Sequence, residues 1–171
     1  MRVLGLFSLL LTIGLAGLGL ACAPQDVPGE VVGTYHFVGP LEVNECGSGF
    51  PATDSLDMRV ELRRDLTMGV WRSPQAAISY GVIEDDETPE RWVFEAGGTY
   101  PAYEGCAFVQ EETIELDSVD DDGASGTTVV RIYPSSGSNC AASLAALGGP
   151  FLTLPCEARW AIEGEPIDPI F

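Results

Sequence analysis

Apolar and polar residues alternate along most of the chain beyond residue 30, which is the pattern of β-strands with one buried face. The alternation is clearest in Met58-Arg59-Val60-Glu61-Leu62-Arg63, where every second side chain is apolar. It predicts about nine short strands, which cover residues 31–38, 58–63, 66–72, 78–82, 91–96, 106–109, 113–117, 127–133 and 152–162. In the longest of them, the residues expected to face inward are Leu154, Cys156, Ala158, Trp160 and Ile162.

Turn-forming residues separate the predicted strands. Glycine, aspartate and serine cluster at 47–49, 85–87, 97–98, 120–123 and 135–137. One short helix is predicted near residues 140–147, after an N-cap at Ser138 or Asn139 and before Gly148-Gly149. Strands of this kind without helices between them predict an antiparallel sheet with one solvated face.

Such a sheet must bury its apolar face, either by closing on itself or by packing on a second sheet. We favour an all-β, antiparallel up-and-down barrel, because turns of hairpin length join successive strands. A two-sheet β-sandwich is the alternative. Gly33-Thr34-Tyr35 in the first strand resembles the Gly-x-Trp start of lipocalins, with tyrosine in place of tryptophan. This resemblance implies a lipocalin-like barrel.

The amino-terminal segment consists of Met1-Arg2 and an apolar run from Val3 to Ala21. Cys22 follows directly, and Gly19-Leu20-Ala21-Cys22 resembles the lipobox of bacterial lipoprotein precursors, with glycine where leucine is usual. The resemblance implies cleavage after residue 21 and lipid modification of Cys22.

The same resemblance sets the domain boundaries. It makes residues 1–21 a lipoprotein signal peptide, residues 22–29 a lipid anchor with a short linker, and residues 30–171 a single disulfide-stapled β domain. Ala23, which follows the cysteine, implies a place in the cell envelope, at the outer membrane where the host has two membranes. The alternatives are ordinary secretion with cleavage after Ala23, and retention of the segment as a membrane helix.

The cysteine count supports lipid attachment, because five cysteines in an exported protein leave one without a disulfide partner. With Cys22 acylated, four remain for two disulfides: Cys46, Cys106, Cys140 and Cys156. Three pairings are open, and the sequence does not choose among them. We favour Cys140–Cys156 with Cys46–Cys106, since the first two fall on core-facing positions and enclose only residues 141–155.

Acidic residues outnumber basic ones 26 to 8, all eight basic residues are arginines, and the formal net charge is −18. A negative field of this kind repels nucleic acid and anionic membrane surfaces, and it keeps a tethered domain soluble. We therefore expect no nucleic-acid partner, and we expect contact with the membrane through the N-terminal lipid.

His36 is the one candidate for general acid–base chemistry, because it is the only histidine. Its position in the first strand places it on the solvent face, opposite Tyr35 and Phe37. No nucleophile motif and no zinc-binding motif accompanies it, so the sequence predicts neither a catalytic residue nor a cofactor.

Asp120, Asp121 and Asp122 form the one candidate calcium site, because three adjacent carboxylates repel one another unless a cation or water screens them. Alignment of Gly123 with the glycine of an EF-hand loop leaves the first and last ligand positions without carboxylates. A solvated hairpin turn is the preferred interpretation.

The aromatic residues leave two uses of a barrel interior open. They can fill it, or residues such as Tyr80, Phe94 and Trp160 can surround a cavity for a small apolar ligand. We favour filling, with Trp92 and Trp160 in the core. Trp71 is expected to be exposed or to line a second face.

These observations favour a non-enzymatic lipoprotein that binds a small apolar ligand or a protein partner. A structural or accessory subunit of an envelope assembly, or an inhibitor of one, is the alternative. A hydrolase is the third interpretation, and it requires His36 to converge with acidic residues in a cleft.

Overall fold

The computed structural model describes residues 27–47, 52–84, 90–103, 105–140 and 154–171. Within these ranges the chain forms eight strands: β1 Glu30–Asn44, β2 Ser55–Asp65, β3 Met68–Arg72, β4 Ser79–Glu84, β5 Arg91–Tyr103, β6 Cys106–Asp120, β7 Gly123–Pro134 and β8 Cys156–Pro166. Each strand pairs antiparallel with the next, and β8 pairs with β1, so the sheet closes. The predicted all-β, lipocalin-like up-and-down barrel is confirmed, and the two-sheet sandwich is wrong.

The strand count differs from the prediction because β6 is continuous. Segments 106–109 and 113–117, expected as two strands, belong to one strand of 15 residues. The polar run Gln110-Glu111-Glu112 between them pairs with β5 on one side and with β7 on the other. Backbone pairing on both sides therefore keeps a polar segment inside the sheet.

The signal peptide, the lipobox and Cys22 lie outside the described residues. So does the helix predicted near 140–147, apart from Cys140. In the part of the chain that the structure describes, no helix has the length and apolarity needed to cross a bilayer.

The barrel has two distinct ends. At one end β1 begins and β8 finishes, and we call it the linker end because residues 27–29 lead into β1 there. At the opposite end β1 finishes and β8 begins, and we call it the disulfide end because both disulfides lie there.

The disulfides pair differently from the prediction. Cys46 is joined to Cys156, and Cys106 is joined to Cys140. The favoured pairs Cys140–Cys156 and Cys46–Cys106 are therefore wrong. Closure of the sheet is the reason, because it places β1 beside β8, so that Cys46 just after β1 meets the first residue of β8. The chain that leaves β7 passes the start of its neighbour β6, where Cys140 meets Cys106.

A connected set of aromatic side chains fills the middle of the barrel. Tyr35 and Phe37 of β1 are buried, as the parity of the first strand predicts. Phe37 stacks on Trp71 with ring centroids 5.1 Å apart, and the edge of Trp71 meets Phe94 at 5.6 Å. Phe94 in turn lies 6.3 Å from Trp92. Aromatic side chains bury large apolar areas, so these rings contribute strongly to the hydrophobic free energy of folding.

Two aromatic residues lie on the face opposite to the one expected. Trp71 is in the interior and only 3% exposed, whereas Tyr80 of β4 points outward and is 52% exposed. The limited space beside Phe94 explains why Gly81, and not Tyr80, faces the interior from β4. A Cβ at Gly81 would lie 2.7 Å from Cδ1 of Phe94, so the inward position is held by glycine and Tyr80 falls outside.

An ion cluster on the outside of β2 and β3 ties both ends of the described chain to the barrel, and we call it the outer cluster. Glu61, only 4% exposed, accepts hydrogen bonds from Arg63 at 3.1 Å and from Arg72 at 3.4 Å. Arg63 also donates to the carbonyl oxygen of Gly29 at 2.7 Å. The guanidinium of Arg72 lies 3.6 Å from the ring centroid of Phe171. The shielded carboxylate is therefore compensated by two arginines, as a buried charge requires.

Replacement of both cysteines of the Cys46–Cys156 disulfide by serine should destabilise the fold more than the same change at Cys106–Cys140. The two bonds span sequence separations of 110 and 34 residues, and the larger loop has more entropy in the unfolded chain. The chain-entropy relation gives a difference of about 1 kcal/mol in the free energy of unfolding. Urea denaturation of the two double variants, each with its other disulfide intact, measures this difference. Equal losses, or a larger loss at Cys106–Cys140, would contradict the expectation.

Candidate functional site

The wall of the barrel is incomplete at the disulfide end, between β2 and β5. β3 and β4 contain only 5 and 6 residues, whereas β2 and β5 contain 11 and 13. β3 therefore pairs with β2 only over 61–65, and β4 pairs with β5 only over 91–94. Among the described residues, no strand bridges the gap between 55–60 of β2 and 95–103 of β5. We call this gap the notch.

Three hollows lie in or beside the notch and share part of their lining. One of about 130 Å³ has Trp71 and Phe94 in its wall, and it lies under the segment that joins β3 to β4. The second, of about 310 Å³, and the third, of about 180 Å³, lie along β5 and β6. Ala96 of β5 and Glu112 of β6, which are cross-strand neighbours, line all three. These two residues are therefore the centre of the candidate site.

Glu112 is a carboxylate on the inner face of the barrel wall. It shares this face of β6 with Ile114 and Leu116, which are buried. No hydrogen-bond donor or cation of the described residues contacts its carboxylate. Burial raises the pKa of Glu112 above its ordinary value, because the charged form loses solvation and gains no partner.

Two polar residues of the smallest hollow, Ser73 and Gln75, are hydrogen-bonded to each other. The Ser73 hydroxyl donates to the side-chain oxygen of Gln75 at 2.7 Å, and the Gln75 backbone N–H donates to that hydroxyl at 3.3 Å. None of the described residues that line the three hollows is basic, and Glu95 and Glu111 add two further carboxylates. Apolar walls with a few polar groups, one of them unpaired, are typical of a small-molecule site.

The residues predicted to line a cavity are not brought together. Phe94 does line the smallest hollow, but Trp160 is 3% exposed and donates through Nε1 to the carbonyl of Thr53 at 3.0 Å. Tyr80 points away from the interior. Trp92 and Trp160 lie in the core as predicted.

His36 lies on the outer face of β1, where the sequence places it. Its Nε2 is 2.9 Å from Oδ1 of Asp57, which is itself exposed. Its cross-strand neighbours are Arg59 and Glu165. No hydroxyl or thiol of the described residues is hydrogen-bonded to the ring, so the pair lacks the nucleophile that a hydrolase mechanism of this type requires.

The Asp120–Asp122 segment forms the tight turn between β6 and β7. Oδ1 of Asp120 accepts backbone hydrogen bonds from Asp122 and from Gly123, each at 2.9 Å. This carboxylate therefore stabilises the turn. In the ranges that the structure describes, no group of three or more His, Cys, Asp or Glu residues is arranged to hold a metal ion.

The sequence pattern does not identify Glu112 as a site residue, because the polar run Gln110-Glu111-Glu112 resembles a turn between two strands. The parity of β6 contains the signal that identifies it. Every second residue of β6 lies on the same face, so Glu112 shares a face with Ile114 and Leu116. The notch exists because β3 and β4 are shorter than their neighbours β2 and β5. Alternation within a single strand does not reveal such a difference in length.

No protein-family model, no curated protein sequence and no solved structure matches this chain. Its function has to follow from the chemistry of its own residues.

Glu112→Gln should raise the thermal stability at neutral pH and leave it unchanged in acid. Because folding raises the pKa of Glu112, its stabilising contribution is complete below the unfolded-state pKa and is lost as the pH rises through the folded-state pKa. The amide avoids this loss, so the Tm of the variant should exceed that of the wild type near neutral pH, by about 2–4 °C for each kcal/mol of the loss. The two Tm values should converge below about pH 4. Calorimetry over a pH series measures both regimes.

Glu115→Gln is the matched control on the same strand. Glu115 faces outward, 3.6 Å from Arg91, and lines none of the three hollows. Its replacement should not raise the Tm at neutral pH. A gain for Glu112→Gln that persisted in acid would show that desolvation of the carboxylate is not its cause.

Proposed function

We propose that this chain is a lipid-anchored binding module of the cell envelope, acylated at Cys22, which holds a small and largely apolar ligand in its notch. The observation that carries the proposal is that three hollows share Glu112 in their lining, one of them with Trp71 and Phe94 in its wall. Protein sites for small ligands are concave and mostly apolar, with a few polar groups that orient the ligand. The mouths of small β-barrels are among the places where such sites occur.

The sequence and the disulfides together support the anchor. Gly19-Leu20-Ala21-Cys22 resembles a lipobox, and the other four cysteines pair with one another. Cys22 is therefore left for acylation, which would make every later residue extracytoplasmic and allow the disulfides to form. Each buried CH₂ group of an acyl chain contributes about 0.8 kcal/mol, so two or three chains hold a domain of this size at the membrane.

A short tether would hold the notch away from the bilayer. Residues 23–28 reach at most about 20 Å when extended. Arg63 fixes Gly29 to the linker end of the barrel, so that end would lie nearest the membrane. β8 has 11 residues and runs about 35 Å along its length from one end to the other. The notch, at the disulfide end, would then open toward the surrounding space, where ligands diffuse.

A protein-binding role is the second candidate, and two side chains on β4 favour it. Tyr80 and Val82 are 52% and 60% exposed and lie on the same outer face. Exposed apolar residues that adjoin one another on a sheet are typical of contact surfaces. An accessory subunit of an envelope assembly would use this face and would leave the notch free.

Labelled palmitate fed to producing cells should be incorporated into the wild-type protein. Cys22→Ser should abolish incorporation, because no thiol remains at the position that receives the diacylglyceryl group. The measurement is fluorography of the immunoprecipitated protein, together with its distribution between membrane and soluble fractions. Unlabelled wild-type protein in the soluble fraction would contradict the anchor.

Native mass spectrometry of the protein purified from cells should detect a small molecule bound to the folded chain. Ala96→Trp should abolish this adduct, because Ala96 lines all three hollows and an indole there obstructs the part of the wall that they share. Thr99→Trp is the matched control, since Thr99 is on the same strand and lines none of them. An adduct that survives Ala96→Trp would contradict a ligand site in the notch.

A further inference from the structure

We propose that the ligand of the notch is an organic cation, a primary amine on an apolar body of about the size of one aromatic ring, with its ammonium group bound at Glu112. This inference rests on the proposed role of the notch as a ligand site and specifies the chemistry of the ligand. It follows from the charge, the hydrogen-bonding state and the dimensions of the described residues around Glu112.

The ionisable groups of the notch all have the same sign. Glu95 and Glu112 line the smallest hollow, Glu111 lines the largest from the outward face of β6, and no arginine among the described residues lines any of the three. Arg91 of β5 pairs with Glu84 at 2.8 Å, and Arg131 of β7 pairs with Glu157 at 3.0 Å. The potential in the notch is therefore negative, so that it attracts a cationic ligand and repels an anionic one.

The three carboxylates differ in how strongly each would bind a cation, because they differ in hydrogen bonding and in exposure to water. Glu111 already accepts a hydrogen bond from the Tyr133 hydroxyl, and Glu95 is exposed to water. Glu112 is half-buried, without a donor among the described residues. A charge-assisted hydrogen bond is strongest where water competes least, so Glu112 is the carboxylate at which an ammonium group binds.

An ammonium group matches this environment better than a neutral or anionic group. Its three N–H donors can satisfy a carboxylate that the protein leaves unpaired. A neutral hydroxyl offers one weaker donor and leaves the buried charge uncompensated. A ligand carboxylate would add a like charge beside Glu112 and would be repelled.

The apolar part of the ligand is set by the smallest hollow. Its volume of about 130 Å³ is close to the roughly 150 Å³ of an apolar cavity that binds benzene. Trp71, Phe94 and Ile114 contribute to its wall, so the body of the ligand meets apolar side chains there.

Three probes of similar shape test the inference: 2-phenylethylamine, 2-phenylethanol and 3-phenylpropionate. Isothermal titration calorimetry with the intact protein in a non-ionic detergent measures the dissociation constant of each. The amine should bind at least about tenfold more tightly than the alcohol, which is the difference expected for a hydrogen bond to a charged group. The propionate should bind most weakly.

Two variants identify the residue responsible. Glu112→Gln should reduce the affinity for the amine to that of the alcohol and leave the alcohol unchanged. Glu115→Gln removes the same charge from the outer face of β6 and should preserve the preference for the amine. Should Glu112→Gln fail to fold, the ratio of amine to alcohol affinity in the wild type decides the question.

The outcomes separate this inference from the proposed function. Equal affinities for the amine and the alcohol, or a preference for the propionate, would overturn the cationic ligand and leave the notch as a ligand site. A preference for the amine that survives Glu112→Gln would overturn the role of Glu112. No binding of any probe, together with no adduct in the native mass spectrum, would overturn the notch as a ligand site.

Discussion

The pairing of β1 with β8 is the interaction on which the rest of the structure depends. It converts a row of hairpins into a closed sheet, so the outermost strands lose the unpaired edges that they would otherwise expose. Closure also creates the enclosed space in which Phe37, Trp71 and Phe94 pack against one another. The Cys46–Cys156 disulfide joins the same two strands at one end, so a covalent bond reinforces the contact that closes the barrel.

Closure is complete at the linker end and incomplete at the disulfide end, and the lengths of β3 and β4 cause the difference. These two strands finish early, and the wall between β2 and β5 stops with them. Glycines on their inner faces allow large rings to lie directly beneath. A Cβ at Gly69 would lie 2.9 Å from Trp92, and a Cβ at Gly81 would lie 2.7 Å from Phe94. β3 and β4 therefore pack closely on the core rings, and because they are short they leave the notch beside Trp71 and Phe94.

The fold class could be predicted from the sequence because alternation reports directly on which face of a strand is buried. The predicted orientation was wrong for Tyr80 and Trp71. Gly81 and Gly69 hold inward positions in these two strands, so the inner face has fewer apolar side chains by which the sequence could identify it. The disulfide pairing could not be predicted, because sequence separation does not reveal that the first and last strands become neighbours. Glu112 was missed because a run of polar residues in a strand paired on both sides resembles a turn.

The outer cluster has a consequence for protein engineering. Gly29, which precedes β1, and Phe171, which follows β8, lie near the same carboxylate, since Gly29 contacts Arg63, Phe171 contacts Arg72, and both arginines bind Glu61. A short peptide could therefore join residue 29 to residue 171, and the chain could be opened at the exposed Asp121-Asp122 turn. Such a circular permutant would retain every strand pairing of the barrel and would place its new termini far from the notch.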